Sequence, residues 1–269
     1  MDNKNHRITI LMGIYNCATT LPEAINSLYA QTYKDFKLIL CDDGSTDNTY
    51  EVAKKYADKY DNIVLLRNEK NMKLAYTLNH CLEYADTEYV ARMDGDDISL
   101  PERFEKQIAF LDSHPEYAVV SCSMIHFDES GDWGQGKTVE KPDINTFKKS
   151  TPHPHAPSMM RTSVMKEVGG YTINKYLERG QDYYLWYKIY KAGYKGYNLQ
   201  EYLYKMRDDK DAMSRRTFKS RWNGFIVKRH VMKNLGIKNA TFYALPNLIK
   251  AFIPAFIMKI IRKKKMKKK

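Results

Sequence analysis

The chain predicts an α/β fold: a mixed, mostly parallel sheet with helices on both faces, followed by a helical, basic C-terminal appendage. Three observations carry this. Short β-rich apolar runs alternate with helix-length segments from residue 8 to about residue 125. Two Ser/Thr-x-Pro-Glu stretches mark helix starts between those runs. Two of the apolar runs end in clustered carboxylates.

Taken in order, Ile8–Met12 is the first expected strand, and Thr20-Leu21-Pro22-Glu23 opens a helix to about Gln31 with Pro in its first turn. Phe36–Cys41 is the second strand, and Ser45-Thr46-Asp47 caps a helix ending near Lys59. Ile63–Leu66 is the third strand, and Leu74–Tyr84 is a helix with apolar residues at helical spacing. Tyr89–Met93 is the fourth strand. Ser99-Leu100-Pro101-Glu102 repeats the capping pattern and starts a helix ending near Ser113, and Ala118–Ile125 is the fifth strand. This β-α-β-α order calls for right-handed crossovers and parallel pairing, and ligands bind outside the carboxyl ends of such strands.

That edge is where the acidic clusters fall. Residues 89–97 read Tyr-Val-Ala-Arg-Met-Asp-Gly-Asp-Asp. In extended backbone Asp94 and Asp96 share a face, and Asp97 points away. Two converging carboxylates repel unless a cation lies between them, and hard oxygen ligands suit Mg²⁺ or Mn²⁺. A plain cap on the following helix would also use Asp96 or Asp97. The second strand ends in Asp42-Asp43-Gly44-Ser45, and the Gly13-Ile14-Tyr15-Asn16 turn lies on the same rim.

No Gly-x-Gly-x-x-Gly follows the first strand, which argues against a dinucleotide site. Residues 131–138, Gly-Asp-Trp-Gly-Gln-Gly-Lys-Thr, match the phosphate-binding loop pattern. They lack a preceding strand, and Pro142 opposes a helix, so a surface hairpin is expected. Gly169-Gly170 closes a short helix begun near Thr162, and Gly180-Gln181-Asp182 leads into another. Asp182 there serves either as a favourable first-turn carboxylate or as a general base facing the pocket from the opposite side. His153 and His155 lie in a stiff Pro-rich loop with no third ligand nearby and read as loop or pocket residues rather than zinc ligands. Whether Arg161 faces the site stays open.

The formal net charge is +12, and Arg262 to Lys269 hold seven of the cations, leaving +5 without them. The excess is thus largely a tail property, and no nucleic-acid partner is expected. Residues 211–269 are set apart as the helical region from a catalytic domain at 1–210. Thr217–Asn234 reads as a basic amphipathic helix. Phe242–Ile261 is apolar but interrupted by Pro246, Lys250, Pro254 and Lys259, which favours lying in a membrane interface over spanning it. The cationic tail adds attraction to anionic lipid. Four scattered cysteines without a Cys-x-x-Cys pair, and a polar N-terminus, predict a reduced, cytoplasmic protein on the inner face of the membrane.

With these motifs in this order, residues 8–207 resemble glycosyltransferase family 2, the inverting nucleotide-sugar enzymes of GT-A fold. The resemblance implies that Gly13, Tyr15 and Asn16 form a nucleotide-contacting turn and that Asp43 lies against a uracil ring. It places Asp94 near the ribose, Asp96 on Mn²⁺ or Mg²⁺, and Asp182 as the base. Asn79 and Arg92 complete the set expected to contact the nucleotide sugar. Two departures stand out. Asn71-Met72-Lys73-Leu74 occupies the place of Asn-x-Gly-Leu, and Phe218-Lys219-Ser220-Arg221-Trp222 lacks the Gln of processive synthases. The expectation is transfer of one sugar from a nucleoside-diphosphate sugar, UDP by resemblance, to a glycan or lipid-linked acceptor of capsule, cell-wall or lipopolysaccharide type. A nucleotidyltransferase and a basic membrane- or nucleic-acid-binding protein are the alternatives.

Overall fold

The computed structural model describes residues 6–208, 217–253, 257–258 and 261. The first half is a parallel α/β unit: β1 (Ile8–Ile14), α1 (Leu21–Tyr29), β2 (Phe36–Asp42), α2 (Thr49–Lys59), β3 (Ile63–Arg67), α3 (Leu74–Glu83) and β4 (Tyr89–Arg92). The order β3-β2-β1-β4 is parallel throughout. The chain therefore turns back past β1 to lay down β4, and a ligand crevice opens between the carboxyl ends of β1 and β4.

The second half is mixed. A two-residue strand β5 (Ile98–Ser99) precedes α4 (Arg103–Ser113), the long β6 (Tyr117–Asp128), β7 (Gly131–Gly136), β8 (Met159–Arg161), α5 (Thr162–Glu167), α6 (Gln181–Lys191) and β9 (Lys195–Arg207). β8 joins β4 to β6 with antiparallel pairing on both sides, while β9 runs parallel to β6. Antiparallel pairing of β6 with β7 makes residues 131–136 one arm of a hairpin, as the sequence predicts, and not a phosphate loop.

Alternation along the strands fills two core layers. Ile10, Met12, Leu38 and Leu40 pack on one side of the sheet with α1 and α4, while Leu11, Ile39 and Val90 pack on the other with α3 and α6. The helical region is built into this second layer. α7 (Phe218–Asn234) contributes Val227, Val231 and Met232, and α8 (Ala240–Ile249) contributes Ala240 and Ala244. Phe218, Trp222 and Ile226 on α7 stay exposed, so its apolar residues are not confined to one buried face. Among the described residues no helix is long and apolar enough to cross a membrane. The cationic segment 262–269 lies outside the described residues.

Both expected capping boxes form helices without the caps. Thr20 donates instead to the Gly95 carbonyl at 3.1 Å, tying the start of α1 to the acidic turn. Ser99 is drawn into β5, where its oxygen accepts from Gln31 and Arg103, and α4 begins at Arg103. Tertiary partners outcompete the local cap in each case.

Candidate active site

Three strand ends meet because of strand register. Ile14 pairs with Asp42 across β1 and β2, and the Asp43 N–H donates to the Ile14 carbonyl at 2.8 Å. Gly13 is the penultimate residue of β1 rather than part of a turn, and α3 presses on it, since a Cβ there would lie 3.1 Å from Thr77. Tyr15 is exposed on the rim. Asn16, at φ +48°, exchanges hydrogen bonds with Thr46 and donates its N–H to the Ser45 hydroxyl, knitting the β1 exit to the loop after β2.

Asp43 is buried and organises the wall of the crevice. One carboxylate oxygen accepts from Asn68 Nδ2 and the Met72 N–H, both at 2.8 Å, and the other accepts from the Lys73 N–H at 3.0 Å. Lys73 stands where the resemblance implies a glycine, and its backbone sits at φ +74°, ψ 154°. That region is essentially reserved for glycine. The loop thus keeps the glycine conformation without the glycine.

The acidic turn after β4 is held by two buried arginines. Arg92 Nη2 meets Asp94 Oδ1 at 2.5 Å, and Arg103 donates to the Arg92 carbonyl at 2.6 Å. Burial pushes the Arg92 guanidinium toward losing its proton, and the Asp94 charge more than reverses this. Gly95 passes so close to β1 that a Cβ would sit 2.9 Å from Cys17 and 3.0 Å from Ile14. Asp94 and Asp96 are half-buried on the crevice, while Asp97 is buried behind it and accepts the Arg207 N–H at 2.8 Å. Asp97 is separated from the other two acids by the turn at Gly95 and Asp96, and not by the extended-strand alternation expected from the sequence.

Asp96 is crowded by burial and by Asp94, with the Arg207 and Arg92 charges only partly offsetting them. Burial, then the Asp94 charge, pushes its pKa up to about 6. No ion pair to it occurs among the described residues. Its environment fits a divalent cation, which would relieve the crowding of two hard oxygen donors. No group of three His, Cys, Asp or Glu gathers as a closed metal cage among the described residues. An open one- or two-carboxylate site is the kind Mg²⁺ and Mn²⁺ complete with water and substrate phosphate.

Asp182 lies in the first turn of α6 and opens into a pocket of about 670 Å³ between the 175–183 segment and α7. Burial raises its pKa; its own N–H, that of Tyr183 and the Arg92 charge oppose the rise. Arg92 thus acts on Asp94, Asp96 and Asp182 alike. Tyr171, buried and hydrogen-bonded through its hydroxyl to His155 Nε2 at 2.7 Å, also feels both Asp94 and Asp182. Arg92 and Tyr171 therefore lie within electrostatic range of both Asp94 and Asp182.

Asn79 has a different job from the one expected of it: its carboxamide bonds both the N–H and the carbonyl of Tyr171, fixing that residue after the Gly169-Gly170 turn. His153 is fully buried between Asn198 and Tyr190, and Arg161 is occupied by the carbonyls of Leu111 and Tyr117. Sequence reasoning missed Tyr171 and Arg103; the paired glycines before Tyr171 were the only signal for either.

A mixed α/β sheet whose strand order reverses over an acidic crevice, with helices on both faces, is the GT-A fold class. The profile described as "Glycosyl transferase family 2" matches residues 9–169, and the chain belongs to that family and is a glycosyltransferase. EpsE of Bacillus subtilis (strain 168), named as a glycosyltransferase, is 42% identical over 266 residues, covering 98% of this chain and 96% of its own. An Escherichia coli UDP-Gal:alpha-D-GlcNAc-diphosphoundecaprenol beta-1,3-galactosyltransferase is 31% identical over 223 residues, covering 80% and 79%. Among solved structures, S. aureus TarS in complex with UDP-GlcNAc matches with a TM-score of 0.71 at 20% identity, over 91% of this chain and 71% of that one. The mannosyltransferase PcManGT from Pyrobaculum calidifontis, in complex with GDP-Man and Mn²⁺, matches at 0.65 and 18% identity, over 95% and 79%. At such identities the structures speak for the GT-A fold.

Proposed function

We propose that the enzyme transfers one sugar from a UDP-sugar to a hydroxyl of a lipid-linked saccharide, inverting the anomeric configuration. The observation that supports this is Asp182 in the first turn of α6, a desolvated carboxylate lining a pocket, with Arg92 and Tyr171 within electrostatic range of both it and Asp94. The acceptor class is supported by the galactosyltransferase relative, whose substrate is a sugar on diphosphoundecaprenol.

In this reading the loop bound to Asp43 receives the nucleotide base, and the β1 exit at Tyr15 and Asn16 borders it. Asp94, oriented by Arg92, takes the ribose side of the donor. Asp96 would hold Mn²⁺ or Mg²⁺, which supplies charge neutralisation to a departing diphosphate. Asp182 accepts the proton of the attacking hydroxyl from the face opposite the leaving group, and in-line attack from there inverts the centre. A positioned base of this kind contributes ~10²–10⁴-fold. The exposed Phe242, Leu245, Ile249 and Phe252 of the C-terminal region would rest in the membrane interface at which such an acceptor resides.

The test is a panel of UDP-, GDP- and dTDP-sugars with Mn²⁺ or Mg²⁺ and a short-chain lipid-diphosphate saccharide, with product linkage read by NMR. The expected product carries one added sugar of inverted anomeric configuration from a UDP donor. A retained configuration, or transfer from GDP- or dTDP-sugars in preference, would overturn the corresponding part of the reading.

A further inference from the structure

The pocket onto which Asp182 opens is unusual in its charge. Lys175, Arg179, Lys219 and Lys228 line it, against the carboxylates of Glu178 and Asp182. Among the described residues no carboxylate lies within ion-pair distance of any of the four cations. Lys228 is also half-buried, with its ammonium donating to the Lys148 carbonyl at 2.9 Å, and burial and the Lys250 charge lower its pKa. Four cations against two carboxylates leave the concavity with a net positive charge, which raises the local concentration of an anion. The first turn of α7 adds to this field. Thr217 caps that 17-residue helix, and Thr217, Lys219 and Ser220 face the pocket. A volume near 670 Å³ accommodates a sugar together with a diphosphate.

One step round α7 from the lining residues Lys219 and Asn223 stand Phe218 and Trp222, both exposed, and Phe218 meets Phe252 at 6.0 Å between ring centroids. The pocket therefore presents, in sequence, a proton acceptor, an anion-attracting wall and an apolar aromatic lip. Resting on the proposed lipid-linked acceptor, and naming its recognition, we infer that this pocket is the acceptor's diphosphate subsite. Lys175, Arg179 and Lys219 supply its counter-charges, and the lipid chain leaves over Phe218 and Trp222. The acceptor is then selected by its diphosphate as much as by its sugar.

Farnesyl diphosphate, which has the lipid and the diphosphate but no sugar, is the binding probe. Calorimetric titration with saturating UDP and Mn²⁺ present keeps the donor site filled. Wild type is expected to bind it, and the double charge reversal Arg179→Glu/Lys219→Glu to bind it at least tenfold more weakly; both positions are exposed, so the fold should tolerate the change. Absence of binding by wild type with the donor site filled, or equal binding by the variant, overturns the subsite. A second arm compares kcat/KM for a saccharide on a lipid diphosphate with that for the same saccharide on a neutral alkyl chain. The ratio should fall at least tenfold in the double variant, and an unchanged ratio again overturns the subsite. Transfer that ignores the diphosphate sinks this inference and leaves the transferase reading standing. Farnesyl diphosphate binding that is charge-dependent, with no transfer to either acceptor, supports the subsite and counts against that reading.

Discussion

Lys73→Gly should make the protein more stable, although it removes a side chain and adds chain freedom. Lys73 adopts φ +74°, ψ 154°, which costs a residue with a Cβ ~1–3 kcal/mol. Glycine relieves that strain but loses more conformational entropy on folding, by ~0.5–1 kcal/mol. The net gain is about 1 kcal/mol. With a urea dependence near ~3 kcal/mol per molar, the midpoint rises by ~0.3 M. The Lys73 N–H that donates to Asp43 is a backbone group and survives the change, so the stabilisation by UDP should be retained. Equilibrium urea unfolding with and without UDP measures both quantities. A variant of lower stability than wild type would show that the loop does not hold the glycine conformation under strain, and the account of the nucleotide wall would fall with it.

Asp182→Asn should lower kcat by ~10²–10⁴ with UDP binding intact. Because burial raises the Asp182 pKa, kcat in wild type should climb with pH through a value above the ordinary carboxylate range, as the base loses its proton, and the Asn variant should lack that limb. A stopped pH–rate series on both proteins decides it. Gly44→Ala should cost at least ~2 kcal/mol and weaken UDP binding, since φ is +67° and the new Cβ would lie 2.6 Å from the Lys70 backbone; thermal melts with a UDP titration read both effects. His153 is buried neutral, its pKa lowered from 6.5 to about 4 chiefly by burial. The unfolded chain binds that proton first, so stability is full above pH 6.5 and falls by about 3 kcal/mol as pH drops toward 4. His153→Gln should flatten that part of a stability-versus-pH curve.

Much of the parallel half was legible because local pattern and tertiary role agree there. Strands β1, β2 and β4 are buried on both faces and read as largely apolar runs, and each is followed by a polar turn on the binding edge. What stayed hidden depends on contacts between distant segments. Thr20 and Ser99 carry perfect local capping patterns, yet their hydroxyls are claimed by Gly95 and Arg103. Nothing near Asn79 in sequence foretells its bonds to Tyr171, 92 residues away.

The four cations around the pocket make the same point in functional terms. Lys175 and Arg179 come from the loop before α6, and Lys219 and Lys228 from α7, which sequence composition marks only as basic. A basic helix ordinarily implies a solvated or membrane-facing surface. Docking α7 through Val227 and Val231 onto the core layer that holds Trp186 and Leu185 turns part of that charge inward, opposite Asp182. The core contact of α7 therefore determines what its lysines do. Weakening it with Val231→Asp should disturb acceptor use more than UDP binding, because the crevice proposed for the donor opens between β1 and β4, which pair with each other and not with α7.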